Sequence, residues 1–303
     1  MSELNAFVNP VVRGVINPNK TITYKKELHF DSCFRDNYGA ANTSASSFLY
    51  NLPEEIDNVV SLRLSSIVIP CIPITISKTN NLFCISDTNG IKETVKITDG
   101  IYTHSKLVHT INSSITAKGI QGITFKVSSN NKEQTTIENT SVDSKKITFY
   151  EPENCTNFMD TLGWLLGFRK AHITITKDSP PVTSSGLFEN NFTDYLYFSA
   201  DDFQRNVTDN NIVYLNKTTI NNNILGKIYR SPDCGIYCLN TKNSSTSYET
   251  NHNRIYFGPV RLSKFRFSLL DKFGKLVDMS DMDYSFTLEV EVLYDRNNVT
   301  IPC

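Results

Sequence analysis

Along most of the chain, apolar residues alternate with polar ones in short runs that end at Asn, Gly, Pro or Asp, the pattern of half-buried strands. "VVSLRLSSIVIP", from Val59, is one such strand and breaks at Pro70 and again at Pro73. "NLFCIS" (81–86) and "TVKIT" (94–98) flank "DTNG", whose turn residues predict a hairpin. "GITFKVS" (122–128) and "KKITFY" (145–150) stand on either side of a polar Asn/Ser/Thr loop. "HITIT", "DYLYFS", "NNILGKIY", "RIYFGPVRLSKFRFSLL" and "YSFTLEVEVLY" complete the strands. The period changes twice. In "YTHSKLVHTINSSI", Leu107, Ile111 and Ile115 recur at every fourth position and Thr103 stands ready to cap, so a short helix is predicted. "TNFMDTLGWLLGF" (156–168) reads as a second helix, begun by Thr156 or Asn157 and stopped at Gly167.

About ten strands with two short helices, no internal repeat and no strand–helix–strand alternation predict an all-β sandwich or barrel. Long polar insertions fall near 128–144, 177–193 and 231–253, and no composition shift marks a boundary, so 26–303 reads as one elaborated domain. Residues 1–25 carry Pro10, Gly14 and Pro18 among Val8, Val11, Val12, Val15 and Ile16, which suggests an N-terminal arm that docks on something. "RFSLLDKFGKLVDM" (266–279) joins two apolar strand ends. These strands form either a C-terminal hairpin or the closing part of a sheet that stands beside other copies of itself.

Composition narrows the function. Of 303 residues 39% are hydrophobic, ample for a core, and the net charge is -1 with a pI near 6.5. That balance argues against a nucleic-acid footprint or a polybasic membrane surface. No apolar run is long enough to span a bilayer, so no transmembrane segment is expected. "MSELNAFVNPVV" lacks the charged and apolar regions of a signal peptide, and none is expected. Sequons such as those at Asn191 and Asn206 are then expected to stay unglycosylated. Seven cysteines form no framework spacing; Cys33, Cys71, Cys84 and Cys155, in or beside strands, read as buried thiols.

The search for chemistry finds no persuasive site, and no catalytic, cofactor-binding or metal-binding residue is assigned. His104 and His109 lie five apart, which puts them on different sides of a helix. Cys234 and Cys238 have no second pair to complete a zinc site. No HxH strand pair with a third ligand and no Gly-rich phosphate loop occurs. Asp201 with Asp202, and Asp281 with Asp283, read as turn caps and solvent contacts. "FGPV" (257–260) reads as a bulge or an edge. The aromatic load, 18 Phe and 14 Tyr, is mostly core filling, yet "YLYF", "RIYF" and "FRFSLL" alternate rings with polar neighbours as a sheet with two useful faces would.

Several stretches taken in order resemble a known family: "LRLSSIVIP", "TLGWLLGFRK", "YLYFSADDFQRN" and "YFGPVRLSKFRFSLLDKFGKLVDMSDMDYSFTLEVEVLY". As a set they are similar to the penton, or fivefold-vertex, capsid proteins of large icosahedral nucleocytoplasmic double-stranded DNA viruses, over roughly 50–295 and most closely over 252–294. The resemblance implies a single jelly-roll sandwich with two short helices and long surface loops, a minor capsid protein with no catalytic residues. It implies a homopentamer plugging the vertices of a giant-virus particle among trimers of a major capsid protein. Other minor capsid proteins or a vertex fibre are further partners, without direct nucleic-acid contact. Assembly in the host cytoplasm, then residence in the virion, is the expected location. Phe265, Phe267 and Phe273 are the candidate assembly contacts, against the reading that all three are internal packing. A glycan- or fibre-binding sandwich without a capsid-closing role is the alternative, with the loops 177–193 and 231–253 as its grip.

Overall fold

The computed structural model describes residues 22–39, 44–70, 76–88, 90–129, 133–151, 157–177, 179–189, 195–207, 212–215, 218–220, 223–230, 237–240 and 253–294, with the backbone alone for 218, 230 and 237–240. The chain is all-β, its strands arranged in sandwich fashion with two short α-helices among the described residues. Where the sequence was read as one domain over 26–303, it divides into two compact units: residues 1–71 with 195–303, and 72–194.

In chain order, the first unit opens with β1 (Thr23–Asp31) and β2 (Ser47–Ile69). The second unit holds β3 (Leu82–Ser86), β4 (Lys92–Lys96), helix α1 (His104–Ala117), β5 (Ile123–Val127), β6 (Thr135–Asn139), β7 (Lys145–Thr148), helix α2 (Leu162–Leu165), β8 (His172–Ile175) and β9 (Val182–Thr183). The chain returns to the first unit through β10 (Tyr195–Asp201), β11 (Val213–Leu215), β12 (Thr218–Ile220), β13 (Ile224–Arg230), β14 (Tyr237–Asn240), β15 (Arg254–Leu270) and β16 (Ser285–Leu293).

The first unit holds a seven-stranded antiparallel sheet, β1-β16-β2-β14-β13-β10-β15, in which β15 also pairs back onto β2, and a separate two-stranded ladder, β11-β12. The circuit from β2 through β14, β13, β10 and β15 therefore closes on itself, which protects most of its edges. β15 and β16 do not pair with each other, so the C-terminal strands are not a hairpin. Each pairs with β2 instead: Phe267 opposite Phe48 in its first half, Phe286 opposite Ile67 in its second. β2 is long enough for both because it begins at Ser47, not Val59. Its first half escaped the reading because "PEEID" interrupts the apolar alternation, and the pairing there slips at Val260 and Leu262. That slip confirms "FGPV" as a bulge. Phe30, Phe48, Phe198, Phe265, Phe267 and Phe286 are buried, as are Leu62, Leu64, Leu269, Leu288 and Val290. Of the N-terminal arm, 1–21 lies outside the described residues, and Thr23–Lys25 belongs to β1.

On β16, Glu289 is nearly buried between two cations: Arg63 grips it with two bonds of 2.9 Å and Lys25 lies at 2.9 Å. The Arg63 hydrogen bonds, aided by Lys25 and opposed by burial, hold the Glu289 carboxyl below its ordinary value. A depressed carboxyl contributes stability that is present above about pH 4.5 and is lost as pH falls through the folded value. Arg63→Met is expected to lower stability at neutral pH by about 1.5–3 kcal/mol and to flatten this acid-side fall. Thermal melts between pH 3 and 7 check both effects.

In the second unit the sheets β4-β3-β7-β8 and β5-β6-β9 enclose a core with the inner face of α1. Thr103 caps α1 as expected, its hydroxyl accepting from the Lys106 amide, and Leu107, Ile111 and Ile115 are buried. The second predicted helix is shorter than its pattern. Asn157 caps a single 3-10 turn (Phe158–Asp160), extended Thr161 breaks it and recaps α2, and Gly167 ends the turn at φ 89. Gly163 lies so close to Phe149 that a Cβ there would overlap the ring. The polar insertion 128–144 contains β6, carried by Ile137 with Thr135 and Asn139 buried beside it, and 177–193 contains β9. Most of 231–253 lies outside the described residues. Cys84 is buried as expected, whereas Cys33 is half-exposed in a 3-10 turn; Cys71 and Cys155 lie outside the described residues.

Candidate assembly surface

Phe265 and Phe267 sit two apart on β15, so both point to one side of the sheet, and that side is the core. Neither is exposed, and their rings stack at 5.3 Å. Phe273 is elsewhere, half-buried in the turn after β15. Asp271 builds that turn, its Oδ1 accepting from the Phe273 and Lys275 amides at 2.8 and 2.9 Å. Gly274 completes it at φ 80, against Ile220. Lys272 lies 5.4 Å over the Phe273 ring. The three phenylalanines therefore do not share a face, and Phe273 alone of them is not fully enclosed.

The loop after β10 presents another aromatic, on a platform the sequence reading missed. Asp201 and Asp202 do cap the turn, accepting from the Phe203 and Gln204 amides at 2.9 Å each. Asp202, however, is no solvent contact. Its side chain is wholly enclosed, bound by Arg254 Nη1 at 2.7 Å and by the Tyr256 hydroxyl. Burial, then the Asp202 charge, pushes the Tyr256 hydroxyl far up. The signal was legible in period two: Leu196, Phe198, Ala200 and Asp202 continue one inward face, as do Arg254 and Tyr256. On this base Phe203 stands at φ 60, in the left-handed region, and is 40% exposed. Lys264 and Arg266 lie 4.7 and 5.7 Å from its ring. Gln204 ties the loop to β15 through the Arg261 carbonyl at 2.9 Å.

A third feature joins the turn after β1 to the segment before β16. Asp283 accepts from Ser32 (2.7 Å), Arg35 (2.6 Å) and Tyr38 (3.2 Å), and the Tyr284 amide donates to Ser32. Here again a carboxylate read as a solvent contact is a fold contact. Phe34 projects from this braced turn, 75% exposed, as does Phe257 beside the β15 bulge.

No group of three or more His, Cys, Asp or Glu that could hold a metal occurs among the described residues. His104 is buried and His109 exposed, on different sides of α1. Cys234 and the Cys238 side chain lie outside the described residues. No described helix is long and apolar enough to cross a membrane.

No family model and no curated protein matches the chain. Among solved structures it is similar to the crystal structure of the mavirus penton protein, at 10% identity and a TM-score of 0.45, over 89% of this chain and 99% of that one.

Proposed function

We propose that the chain is a structural minor capsid protein that assembles as a pentamer at the fivefold vertices of an icosahedral virion. One observation carries this reading: polar groups of the motifs that resemble penton proteins are engaged in contacts within the chain itself. In "LGFR", Arg169 stacks 3.9 Å from the Trp164 ring and donates to the Trp164 carbonyl at 2.8 Å. In "DDFQ", Asp201, Asp202 and Gln204 all bind within the first unit. What remains outside is a set of rings on braced loops, Phe203, Phe273 and Phe34, the kind of preorganised aromatic that anchors protein interfaces. A ring of identical subunits needs two different flanks on each copy, and these loops supply candidate anchors for them. Major capsid protein trimers would surround the assembled vertex, and synthesis in the host cytoplasm would precede incorporation.

The glycan- or fibre-binding alternative has one observation of its own. A cleft of ≈ 600 Å³ in the second unit is lined by the apolar Ile85, Ile91, Ile120 and Val142 and by Asp87, Glu93, Gln121, Thr140, Ser141 and Asp143, polar groups that suit hydroxyl-rich ligands. Gold-labelled antibody against the chain separates the two on purified virions. Label at the vertices supports the capsid reading; label on fibres alone moves the alternative forward, and particles free of label overturn the capsid role.

Phe273→Ala is expected to weaken each subunit contact at least tenfold, about 1.4 kcal/mol per contact, with an unchanged monomer melting temperature. Sedimentation of the recombinant protein over a concentration series checks it. Assembly equal to wild type would remove Phe273 from the interface.

A further inference from the structure

His104 is the first residue of α1, and its imidazole is sealed into the second unit with 8% of the residue exposed. Nε2 lies 2.9 Å from the Thr135 hydroxyl of β6. The ring stacks flat on Phe188, centroids 4.4 Å apart and planes within 3°. Nδ1 is buried and has no hydrogen-bond partner among the described residues.

Phe188 belongs to a strap, 184–189, laid across this end of the unit. The Ser184 amide donates to the Thr135 carbonyl at 2.8 Å, and the Thr135 amide to the Ser184 hydroxyl at 3.1 Å. The Gly186 amide reaches the Gly167 carbonyl, the Phe188 amide the Glu133 carbonyl, and the Glu189 amide the Leu165 carbonyl. These strap contacts converge on β6 and the α2 turn. The contact from α1 is the His104–Phe188 stack.

That stack depends on charge. In the neutral tautomer with Nε2–H donating to Thr135, the orphan Nδ1 is an acceptor, which is tolerable. Protonation would place an N–H donor there with nothing to receive it, and a cation in the core at the positive end of α1. Two influences oppose this. Glu133, just before β6, attracts the proton, and the Phe188 face would welcome a cation. Glu189, beside Phe188, is drawn to Arg169 at 4.0 Å, and Lys106 on α1 lies over the Tyr102 ring at 5.6 Å. Burial wins: the imidazole is held below its ordinary value.

We propose that His104 is an acid-sensitive latch, closed over the 184–189 strap when neutral and released when protonated, with the core beneath left folded. The sign follows from linkage. A histidine whose folded value is lowered binds protons more readily once released. The latch is therefore fully closed above about pH 6.5 and opens as pH falls through the lower folded value. The inference holds whether or not the chain is a vertex subunit.

Hydrogen exchange on the full chain at pH 7.5 and pH 5, corrected for intrinsic rates, tests it. The Gly186, Phe188 and Glu189 amides are expected to lose about tenfold or more in protection at pH 5, with those of β5 and β7 unchanged; tenfold is one pH unit of proton linkage. H104Q should show the same strap protection at both values. Strap protection independent of pH in the wild type, or an equal fall in H104Q, overturns the latch. If H104Q fails to fold, NMR titration of the wild type decides. The Phe188 ring signals should move with the His104 midpoint, below 6.5. A higher midpoint, or Phe188 signals that ignore it, rejects the proposal.

Discussion

Phe267→Ala is expected to destabilise the first unit by about 3–5 kcal/mol, the largest loss from any single truncation considered for this chain. The ring is wholly enclosed and touches five others, those of Phe30, Phe48, Phe198, Phe265 and Phe286, with centroids 4.6–5.9 Å away. Those partners come from β1, β2, β10, β15 and β16, so the cavity left behind is bounded by strands already fixed in the seven-stranded sheet. Such walls cannot collapse without breaking ladder hydrogen bonds, and the loss should fall at the upper end of the range. Urea unfolding followed by tyrosine fluorescence measures it. The contrast with Phe273→Ala is informative, because one ring is core and the other meets solvent. A Phe267→Ala protein that melts like wild type would mean that the aromatic cluster is not the core of this unit.

Arg254→Leu is expected to cost a similar amount, about 3–5 kcal/mol, because it leaves the Asp202 carboxylate enclosed without its cation. Arg254 also donates to the Asn223 carbonyl at 3.1 Å, so the loop before β13 loosens as well. The double variant Asp202→Leu/Arg254→Leu removes both charges and should recover at least about 1 kcal/mol of that loss. Both variants should also release Phe203 from its left-handed conformation, since the turn that imposes it is anchored by Asp202. Paired thermal melts of the single and double variants check the energies. A double variant less stable than Arg254→Leu alone would contradict this account, showing that Asp202 supports the fold through Gln204 and Tyr256 even without its cation.

Much of this fold was readable where one face is apolar and the other wet. "YSFTLEVEVLY" gave β16 because its inward residues, Phe286, Leu288, Val290 and Val292, never miss a beat. Thr103 announced α1 for the reason it caps it, a hydroxyl one residue before an i, i+4 apolar row. β1 and the first half of β2 were missed because their outward residues are charged on consecutive positions, as in "YKKE" and "PEEID", and burial is supplied by distant partners on β15 and β16. The break in the second helix was invisible because Thr161 is as good a cap as it is a poor interior residue. The candidate surface was legible only in part. Period two could not say which side of β15 faces the core, so Phe265 and Phe267 looked as available as Phe273. Asp202 was misread because adjacent aspartates suggest a wet turn, whereas the strand alternation places only the second of them inside.

Cryo-electron microscopy of the intact particle that contains this chain, with local reconstruction at the fivefold vertex, tests the central claim most directly. The account predicts five copies around the axis, with Phe273 or Phe203 seated against the neighbouring subunit and Phe265 and Phe267 enclosed within each copy. A vertex built from another chain would contradict it.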